Sequence, residues 1–183
     1  RKKLGAQGPS FETIVASGPR SALPHGVAGM RELKAGDAVV MDFGAICEGY
    51  CSDITRTVFI GKPSEDLLNI YNIVLKAQLE AIDKAAAGIT GRELDNAARS
   101  IIYSAGYDKC FGHGLGHGVG VEIHEKPTVS PKSDDILKSG MVFTIEPGIY
   151  IEGLGGVRIE DTVLLTDDGL KILTKSTKDL IVL

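Results

Sequence analysis

Three apolar segments of this chain carry a carboxylate where a buried strand would normally carry a hydrophobic side chain. The acids are Asp42 after Val-Val-Met, Glu146 after Val-Phe-Thr-Ile, and Glu160 after Val-Arg-Ile. A carboxylate inside an apolar strand carries a large desolvation cost unless a cation lies beside it. A salt bridge would explain one such acid, but Arg56 and Arg158 are too few for these three and Asp53 together. The pattern therefore predicts a bound metal.

The histidines support a metal site, because all four occur in glycine-rich or loop-like sequence. They are His25, His113, His117 and His124. The segment 111–120 contains five glycines in ten residues, too many for a helix interior. The spacing of His113 and His117 is therefore not that of a helical zinc pair. The segment also lacks the spacing of a phosphate-binding loop, and close backbone approach around a metal explains its glycines better.

Four carboxylates with one or two imidazoles exceed the needs of one ion. Carboxylates can bridge, which favours two divalent ions about 3.5–4 Å apart. An oxygen-rich shell without sulfur suits manganese and also tolerates cobalt, iron or zinc. Water between two such ions loses a proton near neutral pH and can attack a carbonyl or phosphoryl centre. The remaining histidines could hydrogen-bond the oxyanion or the leaving group.

The chain predicts an α+β domain of antiparallel sheet flanked by two helices. Ser64 caps a helix that runs to about Ala87, and Thr90 with Glu93 forms the capping box of a second helix that ends near Gly106. Alternation and turn residues predict strands at 11–17, around Asp42, 50–60, 141–145, 157–165 and from the 167–169 turn to Leu183. Arg158, two residues before Glu160, is expected on the same strand face and in contact with it.

The two halves of the chain repeat one pattern. Each half has an acid, a glycine two residues later, a Glu-Gly turn, and then a second acid with threonine two residues later. The matched positions are Asp42, Gly44, Glu48, Gly49, Asp53 and Thr55 against Glu146, Gly148, Glu152, Gly153, Glu160 and Thr162. This predicts two related hairpins that face each other, each giving two carboxylates to a shared site.

Composition excludes several classes of protein. The net charge is −4 over 183 residues without a basic stripe, which argues against a nucleic-acid partner. The apolar tracts fall short of the roughly 20 residues that span a bilayer. The cysteines are odd in number and lack a CxxC pair, which is typical of reduced thiols in the cytoplasm. The start on Arg-Lys-Lys without methionine suggests a domain cut from a longer protein.

These residues resemble the ligand set of the pita-bread metallopeptidases, a family that includes methionine aminopeptidase, aminopeptidase P and prolidase. The matching ligands are Asp42, Asp53, His117 in Gly-His-Gly-Leu-Gly-His-Gly, Glu146 in Thr-Ile-Glu-Pro-Gly, and Glu160 in Val-Arg-Ile-Glu-Asp. The resemblance covers about residues 11–166 and implies the pita-bread fold with pseudo-twofold halves. It also implies that an N-terminal domain and some helices precede residues 1–183 in this branch.

The resemblance implies a role for each site residue. Asp42 would chelate one ion, Asp53 and Glu160 would bridge both, and His117 and Glu146 would hold the other. Glu146 would also accept a proton from the attacking water. Further roles follow for the substrate-binding and supporting residues: His124 and His25 stabilise the tetrahedral intermediate and contact substrate, His113 lines the pocket, and Arg158 and Thr55 fix the bridging carboxylates.

The sequence around His25 (Ser-Ala-Leu-Pro-His-Gly) and around Asp53 is similar to the proline-peptide branch. This implies hydrolysis of the bond before proline in Xaa-Pro dipeptides or short peptides, and allows a homodimer. Three alternatives stay open: an aminopeptidase P that acts on longer peptides, a methionine aminopeptidase, and a peptide-binding module that has kept the fold without catalysis.

Overall fold

The first half of the chain forms a three-stranded antiparallel sheet with a small hairpin beside it. The computed structural model describes Lys3 and residues 5–183. The strands are β1 (Ile14–Ser17), β2 (Ala38–Asp42), β3 (Ile46–Cys47), β4 (Tyr50–Cys51) and β5 (Thr55–Phe59). The sheet order is β1-β2-β5, and β3 pairs with β4. The predicted strand at 50–60 is therefore wrong as one element, because residues 52–54 leave the sheet. The strand predicted at 11–17 begins only at Ile14.

Two helices follow, and both begin at the predicted caps. Helix α1 (Glu65–Lys84) starts at Ser64, whose side chain accepts a hydrogen bond from the Leu67 backbone N–H. Helix α2 (Gly91–Ser104) has the complete Thr90–Glu93 capping box. Gly106 has φ 88°, a conformation that glycine adopts without strain and that suits a helix end. Helix α1 ends at Lys84, slightly before the predicted Ala87. No helix among the described residues is long and apolar enough to cross a bilayer.

The second half forms a five-stranded sheet and another hairpin. The strands are β6 (Gly116–Gly118), β7 (Glu125–Val129), β8 (Val142–Ile145), β9 (Gly148–Ile151), β10 (Gly155–Arg158), β11 (Asp161–Thr166) and β12 (Gly169–Ile172). The sheet order is β12-β11-β8-β6-β7, and β9 pairs with β10. The single strand predicted at 157–165 is wrong as one element, because Ile159 and Glu160 lie outside the strands and divide it into β10 and β11.

The end of the chain differs from the prediction of a strand reaching Leu183. Strand β12 stops at Ile172, and the last residues instead run beside β5. Phe59 N donates to Ile181 O at 2.9 Å, and Leu183 N donates to Phe59 O at 2.8 Å. The alternation that favoured a strand thus reflects this extended contact rather than a continuation of β12.

The repeat predicted from sequence is present in the order and pairing of the strands. Strands β2 and β5 pair antiparallel with Asp42 opposite Thr55, and β8 and β11 pair antiparallel with Ile145 opposite Asp161. Each half inserts a two-stranded hairpin between its outer strands, β3-β4 in one and β9-β10 in the other. The α+β class and the pseudo-twofold arrangement are therefore confirmed.

The hydrophobic core lies between the two helices and the strands of the second sheet. Its fully buried side chains include Ile70 and Val74 of α1, Leu94 of α2, and Phe143 and Ile145 of β8. Each such side chain contributes about 1.5–3 kcal/mol by leaving water. This packing fixes β8 and β11, the strands that carry Glu146 and Glu160 at their ends.

Candidate metal centre

The four predicted acids lie where the paired strands of each half separate. Asp42 ends β2 and Asp53 precedes β5, while Glu146 follows β8 and Glu160 precedes β11. All four, here called the acid cluster, line one pocket of about 480 Å³, together with the four histidines of the chain. A separating strand pair frees the backbone to turn side chains out of the sheet. This explains why an acid interrupts each apolar strand.

His117 lies at the centre of the acid cluster. Its Nε2 is 3.3 Å from Glu146 Oε1 and 3.7 Å from Asp53 Oδ2. The ligand atoms of Asp53, His117 and Glu160 all lie within 4.8 Å of one another. His117 Nδ1 donates to the Gly118 carbonyl at 3.1 Å, because a carbonyl can only accept. With its proton on Nδ1, a neutral ring would present the lone pair of Nε2 to the acids, as a metal ligand does. In the metal-free protein burial would lower the pKa of His117, but the hydrogen bond and the charge of Glu146 raise it overall.

Buried carboxylate oxygens without a donor mark the same place. Among the residues that the structure describes, four buried side-chain atoms lack a hydrogen-bond partner: Asp42 Oδ1, Asp53 Oδ1, Glu160 Oε1 and Gln78 Oε1. Three of the four belong to the acid cluster. Buried polar atoms are nearly always satisfied in native proteins. Orphaned anionic oxygens beside an imidazole lone pair fit hard divalent cations such as Mn²⁺.

Arg158 is the one permanent cation among the described residues that line the pocket. Its Nη2 donates to Asp42 Oδ2 at 2.6 Å and its Nε donates to Thr55 Oγ1 at 3.1 Å. Thr55 Oγ1 in turn donates to Glu160 Oε2 at 2.7 Å. The expected contact of Arg158 with Glu160 is therefore wrong. Strand β10 ends at Arg158 and β11 begins at Asp161, and Arg158 points toward Asp42. Thr55 lies between Arg158 and Glu160 and hydrogen-bonds to both.

Arg56, the other arginine considered from sequence, faces away from the acid cluster. Its guanidinium binds Asp161 Oδ1 at 2.7 Å and donates to the backbone carbonyl of Glu160. It also reaches the Thr177 carbonyl at 2.8 Å, which holds the end of the chain. One arginine therefore serves four acids, so the shortage of positive charge is greater than the sequence suggested.

The charge imbalance is visible in the pKa values. Burial, together with the charges of Asp42 and Glu146, raises the pKa of Asp53 to about 8. Burial and the charges of Glu146 and Asp53 raise the pKa of Glu160 well above its usual range. Burial also raises the pKa of Asp42 despite its ion pair with Arg158. Without an added cation Asp53 is therefore mostly protonated at neutral pH, and the raised pKa values of Asp42 and Glu160 favour their protonated forms; a divalent cation would displace these protons.

Glu146 differs from the other three acids. Burial would raise its pKa, but the hydrogen bond from His117 and the positive charge of Arg158 lower it overall. Thr144 Oγ1 donates to Glu146 Oε1 at 3.1 Å and accepts a hydrogen bond from the backbone N–H of His117 at 3.1 Å. Glu146 is therefore the acid of the cluster whose surroundings favour the ionised form.

The other histidines occupy the wall of the same pocket. The ring of His124 lies 4.3 Å from that of His117, edge to face. His113 Nδ1 donates to the Gly114 carbonyl at 2.8 Å, so its Nε2 accepts from the Tyr150 hydroxyl at 2.8 Å. Burial lowers the pKa of His113, which keeps the ring neutral. His113 is thus tied into the wall, while His25 and His124 lie along the cavity.

Tyr150 and Thr144 were not predicted from sequence. The Tyr150 hydroxyl accepts from Arg158 Nη1 at 2.9 Å, and burial raises its pKa to about 12. A tyrosine on the strand after Glu-Pro-Gly was a usable signal, because a buried hydroxyl requires partners. Thr144 gave no such signal, since threonine is common in strands.

The remaining pocket wall is apolar on one side. Phe11, Ile14, Val27 and Ile123 line it, with Glu12 at the same cavity. Such a surface can hold an apolar ring or side chain of a small ligand beside the acid cluster.

Comparison with known proteins places these features in a family. The sequence profile of metallopeptidase family M24 matches residues 1–167. The chain is 56% identical over 180 residues to the Xaa-Pro dipeptidase of Pyrococcus horikoshii, which covers 98% of this chain and 51% of that protein. A solved Xaa-Pro dipeptidase from Bacillus anthracis is 55% identical with a TM-score of 0.98, covering 100% of this chain and 51% of that chain. An X-Pro aminopeptidase from Thermotoga maritima is 50% identical with a TM-score of 0.96, covering 100% and 52%.

These matches also define how much of each relative the chain represents. The chain spans about half the length of the relatives that it matches.

Proposed function

Because this chain belongs to metallopeptidase family M24, we propose that it provides the catalytic residues of a hydrolase that cleaves the peptide bond before proline in Xaa-Pro dipeptides or short peptides. The observation that carries the proposal is the set of three orphaned carboxylate oxygens in one pocket that His117 also lines. A peptide-binding module would have no use for such an arrangement, because unsatisfied buried anions destabilise a fold that binds no cation.

The proposed ligands divide between two divalent ions. Asp42 would hold one ion, His117 and Glu146 the other, and Asp53 and Glu160 both. The 4.8 Å limit that contains the ligand atoms of Asp53, His117 and Glu160 supports this division. Manganese is the proposed metal, since oxygen ligands predominate and sulfur is absent from the cluster. Bound there, the ions would supply Lewis acidity and lower the pKa of water.

The residues of the chain supply the rest of the chemistry. Glu146 accepts the proton of the attacking water, because its lowered pKa keeps it ionised and Thr144 orients it. His124 and His25, on the pocket wall, donate to the oxygen on which negative charge develops. Arg158 holds Asp42 in place, and Thr55 holds Glu160. The apolar wall at Phe11, Ile14, Val27 and Ile123 would pack against the proline ring and exclude water.

An aminopeptidase that acts on longer Xaa-Pro peptides is the second candidate. It is favoured by the likeness, at 50% identity, to the structure named X-Pro aminopeptidase. The three free cysteines support a reducing compartment such as the cytoplasm for either enzyme.

A substrate panel tests the proposal. The purified protein, loaded with Mn²⁺, is assayed on Ala-Pro, Ala-Pro-Ala and Ala-Ala, with Asp53→Asn as the control that removes a proposed bridging ligand. We expect cleavage before proline, no cleavage of Ala-Ala, and no activity in the variant. Cleavage of the tripeptide alone would select the aminopeptidase, and a metal-loaded protein inactive on all three would contradict the proposal.

A further inference from the structure

We propose that Asp95 and Arg99 of α2 act as one positioning unit that holds the histidine loop, defined here as residues 111–117, and thereby fixes the His117 ring among the acid cluster. This inference rests on the proposed metal centre, because His117 is one of its ligands. Neither Asp95 nor Arg99 lines the pocket. Their effect on the site would therefore pass through the backbone of the loop.

The two side chains form a buried fork. Arg99 Nε lies 2.6 Å from Asp95 Oδ2, and Arg99 Nη2 lies 2.9 Å from Asp95 Oδ1. Asp95 is 1% exposed and Arg99 is 8% exposed. A buried ion pair of this kind contributes little net stability compared with apolar residues of the same size. The cost of burying it suggests a purpose other than stability.

The backbone of the loop forms three hydrogen bonds with this fork, at alternate residues. Arg99 Nη1 donates to the Phe111 carbonyl at 2.9 Å, and Nη2 donates to the His113 carbonyl at 2.7 Å. The Leu115 N–H donates to Asp95 Oδ1 at 3.0 Å. The guanidinium also lies over the Phe111 ring, 4.1 Å from its centroid. The unit thus binds the backbone that leads to His117 at every second residue, at Phe111, His113 and Leu115.

Glycines make this anchoring necessary. A Cβ on Gly114 would lie 2.9 Å from the Val129 carbonyl oxygen, and one on Gly116 would lie 1.9 Å from that of Thr144. The loop therefore passes too close to β7 and β8 to carry side chains at these positions. Glycine also leaves its backbone freer than any other residue. Contacts from the α2 side therefore add order to the glycine-rich backbone before β6 begins at Gly116.

The geometry requires arginine rather than lysine at position 99. One guanidinium contacts both oxygens of Asp95 and two carbonyls, whereas an ammonium is a single point of charge without a fork. Arg99→Lys keeps the ion pair but cannot keep all of the loop contacts. Arg31→Lys is the matched control, because Arg31 forms the same fork with Asp37, at 2.6 and 2.9 Å, away from the histidine loop.

Calorimetric titration of the metal-free protein with Mn²⁺ is the first readout. In Arg99→Lys we expect the ion held by His117 and Glu146 to bind about tenfold more weakly, in the range seen when a partner that orients a ligand is lost. The affinity of the ion held by Asp42 stays at the wild-type value, as do both affinities in Arg31→Lys. General destabilisation would weaken both ions alike, so the split between them identifies a positioning role.

Imidazole ¹⁵N NMR of the metal-free protein is the second readout. We expect wild-type His117 to give one set of ring signals, with a proton on Nδ1 toward the Gly118 carbonyl. In Arg99→Lys we expect the His117 signals to shift and to appear as more than one set, while the His25 signals remain unchanged. Asp95→Asn gives a second test, because the amide keeps the shape of the carboxylate but weakens the fork.

Three results would overturn the inference: wild-type Mn²⁺ affinities in either variant, an equal loss at both ions, or unfolding of both variants, which would make the pair a general support of the fold. The wild-type titration separates this inference from the proposed function. If the wild-type protein itself binds no Mn²⁺, the proposed metal centre fails; if it binds and the variants bind equally well, only the positioning role fails.

Discussion

Thr55→Val tests how the chain holds Glu160, since valine replaces one hydroxyl with a methyl group and leaves the shape nearly intact. Thr55 is fully buried on β5. Its Oγ1 donates to Glu160 Oε2 at 2.7 Å and accepts from Arg158 Nε at 3.1 Å. The variant therefore removes two hydrogen bonds to groups that carry charge when metal is bound.

The magnitude follows from the charge state of Glu160. In the metal-free protein burial raises the pKa of Glu160 well above its usual range, which favours the neutral carboxyl, and a hydrogen bond from Thr55 to a neutral carboxyl is worth about 1 kcal/mol. When Glu160 is ionised by metal, the same bond is worth about 1.5–3 kcal/mol. The difference, about 0.5–2 kcal/mol, appears as a loss of metal affinity of roughly 2- to 30-fold.

Thr57→Val is the matched control for this prediction. Thr57 lies two residues along β5, is 2% exposed, and exchanges hydrogen bonds with the backbone of Arg158 at 2.9 and 3.1 Å. Its partners are neutral in both states, so Thr57→Val should lower the free energy of unfolding and leave Mn²⁺ affinity unchanged. Calorimetric titration and urea unfolding measure the two quantities. Wild-type affinity in Thr55→Val, or an equal loss in both variants, would refute the reasoning.

Two further predictions concern the histidine loop and the acids. Gly116→Ala should lower the free energy of unfolding by about 1–3 kcal/mol and remove most of the metal affinity, because its Cβ would lie 1.9 Å from the Thr144 carbonyl oxygen. Gly112→Ala, which has open space around the new methyl group, should change neither quantity. Urea unfolding and Mn²⁺ titration measure the two quantities. The metal-free protein should lose stability as pH rises from about 4, where unfolded Asp53 ionises, to about 8, where folded Asp53 ionises, because the folded chain binds the extra proton in this window. Urea unfolding with a chelator present measures this fall, which Asp53→Asn should flatten; stability that rises with pH in wild type would contradict it.

Local features of the fold were predictable because their causes are local. Ser64 and the Thr90–Glu93 box start their helices by satisfying backbone N–H groups within the next turn, so a few residues suffice to identify them. The acid repeat was visible for the same reason, since Asp42, Glu146 and Glu160 each directly follow an apolar run. The long-range pairings were not predictable in this way.

The pairing of Arg158 with Asp42 depends on the break between β10 and β11, which no nearby residue predicts. Regular strand alternation places Arg158 beside Glu160, but the strands separate at Ile159 and Glu160 so that the acid can face the pocket. The same requirement splits the strand predicted at 50–60 before Thr55. In both cases the site, rather than local preference, ends the strand. The contact of the chain end with Phe59 likewise joins distant segments, which alternation alone interprets as one more strand.

We propose that the acid cluster and His117 together hold two divalent ions. Anomalous X-ray diffraction from crystals of the Mn²⁺-loaded protein measures this directly. We expect two manganese peaks per chain, each within coordination distance of Asp53 and Glu160, with Asp42 on one and His117 and Glu146 on the other. A protein that takes up no manganese, or peaks that lie away from the orphaned oxygens of Asp42, Asp53 and Glu160, would contradict it.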